Sequence, residues 1–184
     1  PFERDSDTLS DADAHCRQAL FTGREGKHGR SRNSRAGHAQ RMTQRDGTTV
    51  RVYPRIVIRD AEAALELLCD PEAKVSAHYV IDEKGGQYQL VDGKNRAWHA
   101  GVSSWNGIVD INAHSIGIEL VNPGHEFGCT AFPEQQRSAL IQLCQPLLDA
   151  HDTHPKNALG HSDVAPTRKE DPGELFNWEY LAAH

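Results

Sequence analysis

Apolar and polar positions change their period several times along the chain, and each change predicts an element. TTVRVYPRIVI (48–58) is β-branched and alternating, which predicts a strand. Pro54 in its middle predicts an edge position, a bulge or a break. Asp60 can cap a helix with Ala61, Ala64, Leu65 and Leu68 on one face, and Asp70-Pro71 stops it. SAHYVID (76–82) and QYQLV (87–91) read as strands, with Glu83-Lys84-Gly85-Gly86 as the turn between them. Residues 92–114 read as a long polar loop with two tryptophans. SIGIELV (115–121) is nearly continuously apolar, which predicts a central strand. Phe132-Pro133-Glu134 opens a helix with the stripe Leu140, Leu143, Cys144, Leu147 and Leu148. Pro146 inside it predicts a kink or an early end. Ala158-Leu159-Gly160 predicts a short strand leading to His161, and a last short helix spans residues 174–183. Strands and helices mix without strict βαβ alternation. The expected fold class is therefore α/β (α+β mixed), a single mixed β-sheet flanked by helices.

Composition changes this picture in one place. A chain of 184 residues suits one domain, yet its hydrophobic share of 38% is low. The net charge of −6 is uneven: −3 over residues 1–23, +8 over 24–59 and −11 over 60–184. The basic block GREGKHGRSRNSRAGHAQRMTQRDG has almost no large apolar residue, so burial cannot offset the entropy of ordering it. The reading is a poorly ordered segment over 1–50 and a folded domain over 51–184. No aromatic interleaves the arginines, so no nucleic-acid partner is expected. The alternative is an arm for anionic polymer, with salt-sensitive binding. No apolar run approaches the ~18 residues of a membrane span, and no N-terminal run reads as a signal peptide. Cys16, Cys69, Cys129 and Cys144 are too few in a chain of this length to make a disulfide scaffold, and no CxxC pair among them suggests a structural zinc.

Three segments carry candidate chemistry. In GHSDVAPTRKEDPG (160–173), His161 and Asp171 are a usual catalytic zinc pair, and Lys169 between them could reach an oxyanion. By themselves they also suit a surface loop with a hydrogen-bonded histidine. Glu119 is a carboxylate inside an apolar strand, where burial raises a carboxyl pKa and suits a general base. It would equally suit a half-buried Glu paired with a Lys or Arg. RAWHAGVSSWNG (96–107) could offer Trp98 and His99 as a sugar or peptide platform, or its tryptophans could simply fill the core.

SAHYVID, RAWHAGVSSW, NAHSIGIELVNPG and GHSDVAPTRKEDPG, in this order and spacing, resemble the zinc-dependent N-acetylmuramoyl-L-alanine amidases. More narrowly they resemble the AmpD/AmiD group of the amidase-2 family, related in fold to the peptidoglycan recognition proteins. The resemblance covers about residues 58–180. It implies a mixed sheet flanked by helices and hydrolysis of the amide between N-acetylmuramic (or anhydro-muramic) acid and L-alanine by zinc-activated water. It assigns His161 and Asp171 to Zn²⁺, Lys169 to the tetrahedral intermediate, and Glu119 to the proton transfers. Trp98, His99 and Asn112 fall in segments that line the substrate groove, and His78 is a structural residue or one that supports the ligands from behind. The implied partners are muropeptides, met by a monomer. With no leader and no paired cysteines read from the chain, the expected compartment is the cytoplasm, with the periplasm as alternative.

One ligand of the family pattern is missing. The first zinc histidine of the family falls at Pro54, and no histidine stands between His38 and His78. Catalytic zinc normally has three protein ligands. The region before residue 58 could be non-ancestral, His28 or His38 could reach in from the arm, or the chain could bind muropeptides without turnover.

Overall fold

The computed structural model describes residues 49–57 and 60–184. In chain order the strands are β1 (Thr49–Val57), β2 (Tyr79–Ile81), β3 (Gln87–Gln89), β4 (Ser104–Trp105), β5 (Ile108–Val109) and β6 (Ser115–Asn122). The helices are α1 (Ala61–Cys69), α2 (Glu134–Ala150), α3 (His161–Val164) and α4 (Trp178–Ala182). The expected poorly ordered segment, through residue 48, lies outside the described residues, as do His28 and His38.

All eight residues of β6 are buried. An apolar run of this kind is stable only when covered on both faces and paired on both edges. The sheet order is β1-β6-β2-β3, with β6 parallel to β1 and β2, and β2 antiparallel to β3. This is the mixed sheet that the chain's pattern predicts. β1 lies at its edge, where a proline can be tolerated, and its register against β6 shifts between Tyr53 and Ile56.

Helices cover the two faces. α1 starts where the Asp60 carboxylate accepts the Ala63 N–H at 3.0 Å. It sends Ala64, Leu65 and Leu68 against Val80, Leu90 and Val121. α2 packs Ala139, Leu140 and Cys144 against Ile81, Ile116, Ile118 and Leu120. Neighbouring strand residues point to opposite faces, so Val80 and Ile81 separate the two cores. Gln136 of α2 is fully buried and donates from Nε2 to Ile81 O at 3.0 Å and Val121 O at 2.9 Å. That side chain ties α2 to the ends of β2 and β6.

Several expectations need correction. α2 does not end early at Pro146 but runs on to Ala150. Pro146 and Gln142 are both exposed, so the carbonyl that the ring leaves unpaired faces water. The loop 92–114 contains the β4–β5 hairpin and a short 3-10 turn, Ile111–Ala113. Asn106 and Gly107, with φ of 48° and 79°, make the tight turn between the strands. Residues 158–160 form no strand; Leu159 makes a single bridge, and His161 opens a one-turn helix instead. The last helix is only Trp178–Ala182, because Phe176 turns inward against Phe132 at 5.3 Å between ring centroids. Cys69 is disulfide-bonded, while Cys129 and Cys144 are free, so the cysteines are not all unpaired.

Candidate active site

The two candidate ligands meet at the start of α3. Gly160 is packed so closely that a Cβ there would stand 2.7 Å from Pro172 Cδ. Ser162 N–H donates to Asp171 O at 2.9 Å. These contacts draw residues 160–162 and 171–172 together, although Asp171 follows His161 by ten positions. His161 is buried, with Nδ1 3.0 Å from Asp171 Oδ2 and Nε2 3.1 Å from Ala100 O. A carbonyl oxygen only accepts, so Nε2 carries a hydrogen, and Nδ1 meets the carboxylate.

An imidazole nitrogen beside a carboxylate oxygen is a donor set that zinc takes. Zinc bonds of about 2.0–2.2 Å at tetrahedral angles set donors roughly 3.4 Å apart. The observed 3.0 Å gap is only a few tenths of an ångström short of that. A backbone carbonyl on the far N–H is also how a ligating imidazole is usually oriented. The pair therefore fits zinc. Among the described residues no group of three or more His, Cys, Asp or Glu side chains is placed to hold a metal.

The loop 97–101 joins this pair to the sheet. Asn112 is buried, and its Oδ1 accepts the N–H groups of His99 at 3.0 Å and Ala100 at 2.7 Å. The His99 ring lies on Gly117 of β6, where an added Cβ would stand 2.4 Å from its Cγ. Glu119 is buried two residues further along the same face of β6, paired in register with Val80 and Tyr53. His99 thus shares a face with Glu119, and the next residue, Ala100, holds His161. Lys169 is half-buried in the turn after α3, its N–H donating to Ala165 O at 3.0 Å.

The tryptophans divide between surface and core. Trp98 is 45% exposed, with the Arg96 guanidinium 4.1 Å from its ring centroid. Asp110 holds that guanidinium through two hydrogen bonds of 2.9 and 2.6 Å. Trp105 instead packs with Ala100, Ile111, Leu159 and Val164. His78 has a structural place: its Nδ1 accepts Gly117 N–H at 2.9 Å and its Nε2 donates to Asn95 O at 3.0 Å. Burial pulls its pKa down to about 4, so the ring is neutral near pH 7.

Two positions near the site escaped the reading of the chain. Gly117 carried a usable signal, since an isolated glycine in a strand marks a close approach. Arg168 carried none: its NH2 donates at 2.8 Å to Ala100 O and at 2.8 Å to Val102 O, across more than sixty residues of chain.

Solved amidase structures share this fold. The chain superposes on the crystal structure of a selenomethionine AmpD derivative with a TM-score of 0.66 and 30% identity, over 76% of this chain and 85% of that one. Against Escherichia coli AmiD in complex with anhydro-N-acetylmuramic acid-L-Ala-D-γ-Glu-L-Lys, the TM-score is 0.67 at 34% identity, over 80% and 60%. Residues 54–174 match the family described as N-acetylmuramoyl-L-alanine amidase, and the chain belongs to this family. It is 37% identical over 149 residues to N-acetylmuramoyl-L-alanine amidase AmiD of Escherichia coli K12, covering 71% of this chain and 53% of the relative. It is 41% identical over 105 residues to the 1,6-anhydro-N-acetylmuramyl-L-alanine amidase AmpD of the same organism, covering 57% and 55%. The chain spans about half the length of these curated relatives.

Proposed function

We propose that the chain hydrolyses the amide between N-acetylmuramic (or anhydro-muramic) acid and L-alanine in peptidoglycan fragments. The observation that carries this reading is the His161–Asp171 pair, held at 3.0 Å by the loop that also touches the Glu119 strand. The related AmiD was crystallised with an anhydro-muramyl peptide, which supports the substrate class. The working unit is the domain read over residues 51–184, to whose sheet β1 also adds Thr49 and Val50.

His161 Nδ1 and Asp171 Oδ2 would hold zinc, which when bound supplies Lewis acidity for the scissile carbonyl and the attacking water. Glu119 takes the proton of that water and passes it to the departing alanine nitrogen. Lys169 offers its ammonium to the developing oxyanion. Trp98 gives the sugar or peptide an aromatic face, stiffened by Arg96 and Asp110. His99 borders the site from the β6 side, and Asn112 serves by holding the backbone of residues 99 and 100.

No helix among the described residues is long and apolar enough to cross a membrane. The expected compartment is the cytoplasm, with the periplasm as the alternative. Fractionation of cells producing the natural protein tests the compartment.

The decisive experiment is Glu119→Ala. Loss of a general acid–base is expected to lower turnover by at least ~10²–10⁴-fold while muropeptide binding survives. Unchanged turnover would end this mechanism. Muropeptide binding by a parent chain that turns nothing over would instead identify a binding protein.

A further inference from the structure

The carbonyl oxygen of Ala100 takes hydrogen bonds from two side chains of one short segment: His161 Nε2 at 3.1 Å and Arg168 NH2 at 2.8 Å. The same guanidinium nitrogen reaches Val102 O at 2.8 Å. Two carbonyl oxygens therefore converge on one cationic donor, and the chain curls around it at Gly101, whose φ is +59°. A Cβ on Gly101 would come within 3.2 Å of Arg168 NH2, so the guanidinium lies almost against the backbone. Asn112 already fixes the N–H side of residues 99 and 100. The carbonyl side has a different anchor. Without a cation between them, the oxygens of Ala100 and Val102 would repel, and the peptide plane after Ala100 would be free to turn.

We propose that Arg168 is a positioning residue for His161. By fixing the direction of the Ala100 carbonyl, it sets the acceptor against which the His161 Nε2–H is held. That in turn keeps Nδ1 pointed at Asp171. The inference builds on the proposed function only in giving this orientation a purpose; the orientation itself can be measured without metal or substrate. Arg168 is well suited to the task because its side chain is exposed and contributes nothing to the apolar cores, so its loss acts through this contact. A lysine at this position would keep the charge and an N–H donor but lose the planar fork, so it should restore the effect in part.

The test is nitrogen-15 NMR of the histidine rings in the metal-free chain, comparing the parent with Arg168→Ala and Arg168→Lys. In the parent the His161 Nε2–H, held on Ala100 O, is expected to exchange slowly. In Arg168→Ala that proton should exchange at least about tenfold faster, with partial recovery in Arg168→Lys. Zinc affinity, measured by competition with a chromophoric chelator, should weaken by roughly 10–100-fold in Arg168→Ala, the usual range for a group that orients a ligand. An unchanged His161 ring signal and exchange rate in Arg168→Ala would overturn the proposal. A His161→Ala chain that binds zinc as the parent does would overturn the metal assignment instead, leaving the ring experiment to decide on Arg168.

Discussion

The imidazole of His161 stands 3.0 Å from the carboxylate of Asp171, while its other nitrogen is committed to the backbone of Ala100. The geometry sets an imidazole nitrogen beside a carboxylate oxygen, a donor pair that a metal ion can bridge. A ligand that binds only the folded state raises the melting temperature by mass action. Zinc is therefore expected to raise Tm and a chelator to lower it in the parent, whereas His161→Ala and Asp171→Ala should respond to neither. Calorimetric scans with and without zinc, alongside metal analysis, check this.

Gly117→Ala should be disruptive although it adds one methyl group. The new Cβ would stand 2.4 Å from His99 Cγ, inside any real contact distance. Either His99 leaves the face it shares with Glu119 or β6 shifts. Overpacking of this kind costs about 1–3 kcal/mol. Urea unfolding should show that loss, and hydrolysis should fall beyond what reduced folding explains.

His78 makes stability depend on pH. Its pKa is about 4 when folded and 6.5 unfolded, with burial as the cause. Between those values the unfolded chain binds a proton that the folded chain does not, so stability falls as pH drops from 6.5 toward 4. The loss levels off below the folded value and amounts to about 3 kcal/mol for this one group. Unfolding free energies measured at steps between pH 7.5 and 4 should show the slope, and His78→Gln should reduce it by about one proton.

Gln136→Leu keeps the bulk of the side chain but leaves Ile81 O and Val121 O without their Nε2 donor. Each stranded buried acceptor costs about 1–3 kcal/mol. The chain should lose roughly 2–6 kcal/mol by chemical denaturation, with the His161–Asp171 pair untouched.

Much of the fold was legible because it follows from local patterns. The unbroken apolar run around Ile116, Ile118 and Leu120 can only be a strand covered on both faces, and it is. Asp60 and Asp70-Pro71 bracket α1 because a capping carboxylate and a proline act on their immediate neighbours. The reading went astray where distant contacts overrode local preference. Pro146 does not end α2, since the stripe through Leu147 and Leu148 still packs onto the sheet. Leu159 makes no strand, because Gly160 is drawn against Pro172 and the chain turns into α3.

The candidate site divides in the same way. The sequence by itself singled out the candidate groups: Glu119, His161, Lys169 and Asp171 stand out as side chains able to move protons, bind a metal or hold an anion. Only the tertiary structure decided how they are oriented. It spent Asn112 on the backbone of His99 and Ala100, gave His78 a structural hydrogen-bonding role, and set Arg168 on the carbonyl that holds His161. Donor capacity belongs to a residue and is written in the chain. The acceptor it meets can lie more than sixty residues away, and only folding brings the two together.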